Sequence, residues 1–142
     1  VITTILFDIG DTLVVAADPG TPTAALVATP IGAAVHELAA LAGRYRLGAV
    51  TDTATMGESD VRSLLAPCGL DRLLEVVVTS SDIGVAKPDP AGIHLALNRL
   101  GSSAAGTLFV GDHEVDRLAA AAAGVAFAPA GGGRSPGEAV RR

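Results

Sequence analysis

The chain has 142 residues, 49% of them hydrophobic and 18% charged, with a formal net charge of −5. That length suits one domain with a single substantial core. The acidic balance argues against a nucleic-acid partner, which needs clustered Lys and Arg, and no apolar run approaches a membrane span.

The first seven residues are mostly apolar but too few for a signal-peptide core, and no basic residue precedes them. The expectation is a soluble, cytoplasmic protein with no membrane partner. A single cysteine, Cys68, rules out an internal disulfide or a Cys/His zinc set. With three Phe, one Tyr and no Trp, the core must be built from Val, Leu, Ile and Ala. Nine of the ten basic residues are Arg; the lone lysine, Lys87, hints at a task that Arg does not serve.

In chain order, "ITTILF" (2–7) reads as a strand that runs into Asp8, with Gly10 and Asp11 close behind. Residues 13–30 form a Pro/Thr/Ala-rich connection with little periodicity. A helical pattern over 31–43 leads to the strand "LGAVT" (47–51), which ends in Thr51 and Asp52. A helix over 58–69, closing in an "APCGL" turn, precedes the strand "EVVVT" (75–79). The loop "SSDIGVAKPDP" carries Lys87 into a helix over 90–101. "GTLFV" (106–110) ends in Gly111 and Asp112, a helix spans 114–124, and "VAFA" (125–128) is the last strand. The helices end in Gly, the expected left-handed stop, and Pro90 suits a helix start. The "AAAAA" run at 119–123 predicts a helix lying close on the sheet.

Strands that are apolar throughout suit a sheet covered on both faces, and the strand–helix alternation implies parallel order with right-handed crossovers. The predicted fold is α/β: a three-layer Rossmann-like arrangement of a mainly parallel five-stranded sheet with helices on both faces. The core is expected over 1–130, with 131–142 a Gly-rich, basic, mobile tail. The "GGG" at 131–133 lacks the strand–turn–helix context of a phosphate loop and is given no role.

In such sheets chemistry sits beyond the carboxyl ends of the strands. Asp8, Thr51, Lys87 and Asp112 converge on that edge. Asp8 and Asp112 can hold a hard cation such as Mg²⁺. The metal and Lys87 can offset the repulsion between an anionic nucleophile and a phosphoryl group. Thr51 and nearby backbone N–H groups, that of Asp52 among them, can bind phosphoryl oxygens.

These residues resemble the haloacid dehalogenase-like (HAD) hydrolase superfamily over nearly all of 2–128. "ILFDIGDTL" is similar to its first motif, hhhDxDx[TV], Thr51 in "GAVTDT" to its second, Lys87 in "GVAKPDP" to its third, and "VGDHEVD", with Asp112 and Asp116, to its GDxxxD fourth. The resemblance implies a Mg²⁺-dependent phosphohydrolase in which Asp8 becomes an aspartyl-phosphate. It also implies that Lys87 neutralises and orients, that Thr51 contacts the phosphoryl group, and that Asp112 binds Mg²⁺ directly with Asp116 in support. The Gly10 carbonyl would serve the metal.

Two departures stand out. The residue two after the nucleophile, an Asp in the phosphatase branch, is here Gly10, and losing a general acid/base typically costs about 10²–10⁴ in rate. Asp11 or a water is expected to compensate in part. The gaps at 13–30 and 80–86 are too short for a cap domain, so a phosphorylated macromolecule, or a homo-oligomer, is expected to cover an otherwise open site. The expected substrate is a phosphorylated small molecule or macromolecule.

Of the histidines, His113 adjoins Asp112 and can face the substrate, whereas His36 and His94 read as structural or solvent-facing. Three rival functions remain. A dehalogenase also lacks the second Asp but normally needs an aromatic-lined site. A response-regulator receiver has its acids, Thr and Lys in a different chain order. A HAD-fold binding or assembly protein with weak or no turnover is favoured by Gly10.

Overall fold

The protein is described from a computed structural model covering residues 1–18, 20–131 and 135–140. Five strands, β1 (Thr4–Phe7), β2 (Arg46–Thr51), β3 (Val76–Thr79), β4 (Thr107–Gly111) and β5 (Ala126–Pro129), form one sheet in the order β3-β2-β1-β4-β5. Every adjacent pair is parallel. β1 lies at the centre, with Phe7 opposite Ala49 of β2 and Val110 of β4. The chain order reverses direction across β1 and β4, and this opens a crevice at their carboxyl ends.

The period-two geometry of β1 divides the core. Ile5 and Phe7 join Leu38, Leu47, Val61 and Leu65 on one face, while Leu6 joins Val50, Ile93, Leu97 and Phe109 on the other. The first face is covered by α1 (Ala34–Ala42) and α2 (Glu58–Leu65), the second by α4 (Ala91–Leu100) and α5 (Glu114–Ala123). As expected of the alanine run, Ala119, Ala120 and Ala123 are buried against the sheet, because a methyl side chain permits close approach. Among the described residues no helix is long and apolar enough to cross a membrane.

Several boundaries differ from the sequence reading. α1 starts at Ala34 rather than 31 and ends on Gly43 in the right-handed region (φ −74°), whereas Gly101 and Gly124 end α4 and α5 left-handed (φ 66° and 73°). α2 stops at Leu65, since Pro67 cannot continue an α-helical ladder, and a 3₁₀ turn over Ala66–Cys68 follows. A short helix, α3 (Ser80–Ile83), occupies what read as loop after β3. Its start is capped by the Thr79 hydroxyl, which accepts from the Asp82 N–H at 3.2 Å.

Two further segments have more structure than their composition suggests. Within 13–30, Val14 bridges Pro30 antiparallel, and the Val15 N–H donates to the Thr29 carbonyl at 2.9 Å, closing a hairpin-like arm beside β1. In the expected tail, Pro136–Val140 is a helix, α6. Ala139 enters the first core, and the Ser135 hydroxyl donates to Glu37 Oε2 of α1 at 2.9 Å. Gly-rich composition hid a segment whose small residues let it lie close on α1. Of "GGG", Gly132 and Gly133 lie outside the described residues, as do Arg134, Arg141 and Arg142.

Candidate active site

Asp8 follows β1 directly. Its N–H donates to the Val110 carbonyl at 3.0 Å, so the main chain is still held by the sheet where the side chain enters the crevice. Lys87 arrives from the loop before α4 through a cis Lys87–Pro88 peptide bond. The lysine is 7% exposed and Asp8 6%. Lys87 Nζ donates to Asp8 Oδ1 at 3.1 Å and to the Val50 carbonyl at 2.9 Å, and it lies 2.6 Å from Asp116 Oδ1. The contact with Asp116 is an ion pair without hydrogen-bond geometry. The ammonium also sits 5.3 Å from the centre of the Phe109 ring. A cation so far from water persists only with such partners.

Asp116 lies in the first turn of α5, and its Oδ2 accepts the N–H of His113, the residue that caps that helix, at 3.1 Å. The end of β4 must leave room for it: a Cβ on Gly111 would fall 2.5 Å from Asp116 Oδ2. That steric demand explains the glycine before Asp112. Asp112 in turn accepts the buried Thr12 hydroxyl on Oδ1 at 3.2 Å. Thr12 received no role in the sequence reading, although it occupies the last position of the first motif. Its spacing from Asp8 was the available signal.

Asp52 does more than offer a backbone N–H. Its Oδ1 accepts the Lys87 N–H at 3.1 Å and so anchors the lysine loop to the end of β2. Thr51 is buried at the same strand end. The next loop is tied to α3, with the Thr53 N–H donating to Ser80 Oγ at 2.8 Å. Asp11 turns in the left-handed region (φ 59°), and its Oδ1 accepts the Ala16 N–H at 2.9 Å. That geometry commits one carboxylate oxygen to holding the turn. A cavity of about 290 Å³ is nevertheless lined by Asp8, Gly10, Asp11, Thr51, Lys87 and Asp116, with Asp52 and His113 at its walls. His36 and His94 face solvent, as expected.

His113 belongs to the cluster more closely than its sequence position suggested. Its Nδ1 lies 2.8 Å from Asp112 Oδ1, 3.6 Å from Asp8 Oδ2 and 3.9 Å from Asp116 Oδ2. Burial pushes the Asp8 carboxyl up from its ordinary 3.8 to about 6; Lys87 opposes the rise and the charge of Asp116 adds to it. Burial likewise raises Asp112. For Lys87, burial works downward, but the charges of Asp8 and Asp116 outweigh it and the net direction is up. His113 behaves similarly: modest burial is outweighed by Asp112, Asp8 and Asp116. In each basic group the neighbouring carboxylates favour the charged form.

The donor set fits a divalent cation. Asp8, Asp112, His113 and Asp116 each offer a ligand atom, all within 4.8 Å of one another. Three carboxylates face Lys87 and a histidine that is 57% exposed at its side chain, so the charge is short by more than one unit when the imidazole is neutral. Carboxylate oxygens around a partly wet site suit a hard cation such as Mg²⁺.

A sequence profile described as haloacid dehalogenase-like hydrolase matches residues 27–130. The chain belongs to this hydrolase family. The matched span holds Thr51, Lys87, Asp112 and Asp116, and Asp8 joins them through the pairing of β1 with β4. The plasmid-encoded phosphoglycolate phosphatase of Cupriavidus necator is 43% identical over 81 residues, covering 57% of this chain and 34% of that protein. Pyrophosphatase PpaX of Bacillus pumilus is 39% identical over 84 residues, covering 56% and 36%. The chain thus spans about a third of the length of these curated relatives.

Two solved structures share the fold. An uncharacterized protein from Listeria monocytogenes serotype 4b superposes with a TM-score of 0.81 at 20% identity, covering 91% of this chain and 78% of the other. A HAD-superfamily hydrolase of subfamily IA from Geobacter sulfurreducens gives 0.73 at 21% identity, covering 89% and 88%.

Proposed function

We propose that the chain is a phosphatase that works through an aspartyl-phosphate on Asp8. The observation that carries this reading is the buried Asp8–Lys87–Asp116 constellation, in which Lys87 holds one Asp8 oxygen while the other faces the cavity beside His113. The phosphatase names of its sequence relatives support the same reaction class.

In the proposed reaction, an Asp8 oxygen attacks phosphorus and the bond to the leaving oxygen breaks, giving an acyl phosphate. Water then attacks that phosphorus, returning the carboxylate and releasing inorganic phosphate. With its carboxyl near 6, Asp8 is mostly ionised at neutral pH and available as the nucleophile. Lys87 fixes its rotamer and offsets negative charge on the transferring group. The Thr51 hydroxyl and the backbone after β2 bind phosphoryl oxygens, and Asp52 sets the Lys87 loop in register. Asp8, Asp112 and the Gly10 carbonyl would hold Mg²⁺, with Asp116 in support. Bound there, the cation supplies Lewis-acid neutralisation of phosphoryl charge.

Gly10 places no acid beside the leaving group. Asp11, or a water reached from the open cavity, supplies that proton in the proposed scheme. Cytoplasmic location and closure of the site by a second copy or a large phosphorylated partner complete the proposal.

The deciding experiment incubates wild type and Asp8→Asn with p-nitrophenyl phosphate and Mg²⁺, and follows the mass of Asp8 after quenching. Turnover in wild type, lost on substitution, together with a phosphorylated Asp8 peptide, is the expected result. Equal turnover in both proteins would exclude Asp8 as nucleophile. Gly10 favours a second reading, a HAD-fold binding protein without turnover, and that reading predicts neither product nor phosphopeptide.

A further inference from the structure

Beside the catalytic cavity lies a second recess of about 140 Å³. One wall comes from the arm that follows Asp8, through Val14, Leu26 and Ala28; the opposite wall comes from the β2–α2 region, through Met56, Val61 and Leu64. Among the described residues, none that lines it is charged. Gly10, Ala16 and Thr51 line both this recess and the catalytic cavity, so the two adjoin at these residues. The join lies at Gly10, two residues from Asp8, where an added Cβ would have only Ala16 Cβ within 4 Å, at 3.9 Å.

We propose that this recess receives the leaving group, so that the substrate is a phosphate monoester of an uncharged, apolar alcohol or phenol about the size of a benzene ring. The inference rests on the phosphatase reading and adds its substrate class. An apolar cavity of about 150 Å³ is large enough to take up benzene, which sets the size. Charge sets the class. The basic side chains lining the catalytic cavity are Lys87 and His113, and both are already engaged by carboxylates. Among the described residues, a leaving group bearing its own carboxylate or phosphate would therefore find no free cationic side chain there. It would face Asp11 and Asp52 on one side and an uncharged recess on the other. Phosphoglycolate and pyrophosphate, which the sequence relatives' names indicate, are thus disfavoured here.

Non-hydrolysable phosphonates test this without turnover. Phenylphosphonate, methylphosphonate and phosphonoacetate are titrated calorimetrically into the protein in Mg²⁺, using wild type, Leu26→Glu and Leu26→Met. Leu26 is half-buried and lies outside the catalytic cavity. Phenylphosphonate should bind roughly tenfold or more tighter than methylphosphonate, from burial of the ring, and phosphonoacetate should bind most weakly. Leu26→Glu should erase the phenyl advantage and leave methylphosphonate affinity unchanged, while Leu26→Met keeps both. Equal affinity for the three ligands, tightest binding of phosphonoacetate, or an equal loss for all three in Leu26→Glu overturns the substrate class and leaves the phosphatase reading standing. If none of the three binds, the phosphoryl site itself is wrong and the substrate class falls with it.

Discussion

If the proposed reaction holds, replacing Gly10 with Asp should raise turnover. Gly10 lies outside the left-handed region, and the space its Cβ would enter holds only Ala16 Cβ, at 3.9 Å. The position lines the catalytic cavity beside Asp8, so an added carboxyl would enter that cavity without displacing packed atoms. A positioned general acid contributes about 10²–10⁴ in rate, equivalent to roughly 3–5 kcal/mol of barrier. The new carboxyl adds a like charge near Asp8, already raised to about 6, so the pH–rate profile of the variant should move upward as well. The assay compares kcat for p-nitrophenyl phosphate with kcat for phenyl phosphate. Phenolate leaves less readily than nitrophenolate and depends more on protonation, so the gain should be larger for phenyl phosphate. In wild type, a burst of p-nitrophenolate with phosphorylated Asp8 accumulating is expected, and it should shrink in the variant as the new group activates water. Unchanged kcat on both substrates, with the burst unaltered, would refute the assignment of Gly10 to the missing acid's position.

Three other outcomes follow from the same geometry. The Asp8 carboxyl is raised from 3.8 to about 6, so its contribution to stability is full below pH 4 and is lost as pH rises through 6, by roughly 3 kcal/mol; His113, also raised, acts in the same sense. The Tm of metal-free protein should therefore gain from acidification from pH 7 to 5 relative to Asp8→Asn, and Mg²⁺ should raise Tm more at pH 7.5 than at pH 5. Parallel Tm–pH curves for the two proteins would contradict this. Gly111→Ala pushes Asp116 from its place against Lys87 and should cut kcat at least about tenfold, with Tm lowered by a few degrees. A Mg²⁺ titration separates lost affinity from lost turnover, and unchanged activity would show that Asp116 has room to relax. Asp11→Asn should lower kcat/KM for phenyl phosphate more than for p-nitrophenyl phosphate if Asp11 supplies the proton. An equal, small loss on both substrates would assign it only to the turn it makes with Ala16.

Much of the fold was legible because the strands are largely apolar and β1, β2 and β4 lead into Asp8, Thr51–Asp52 and Asp112, a pattern that fits a covered parallel sheet with its chemistry at one edge. Asp8, Thr51, Lys87 and Asp112 could be selected from that pattern alone. The roles of Thr12 and of the Asp52 carboxylate could not, and His113 only as a neighbour of Asp112, since these roles depend on direction: a hydroxyl aimed at Asp112, an oxygen accepting the Lys87 N–H, and an imidazole among three acids. The same applies to Asp11, whose left-handed backbone sends one oxygen to Ala16. Helix α6 was missed because Gly and Pro weaken local propensity, and packing on α1 outweighs it.

By itself, then, the sequence of this protein determined the alternation of elements, the parallel sheet and the kind of chemistry its strand ends can support. These depend on residue type and spacing, which hydrophobic burial and strand–helix handedness translate directly into architecture. Only the tertiary structure decided that Lys87 is buried between Asp8 and Asp116, and that Gly111 exists to admit Asp116. It also decided that the irregular arm after Asp8 walls an apolar recess adjoining the site. Those features arise where chain segments far apart in sequence meet within a few ångströms, and at that distance sterics and charge, rather than local propensity, set the outcome.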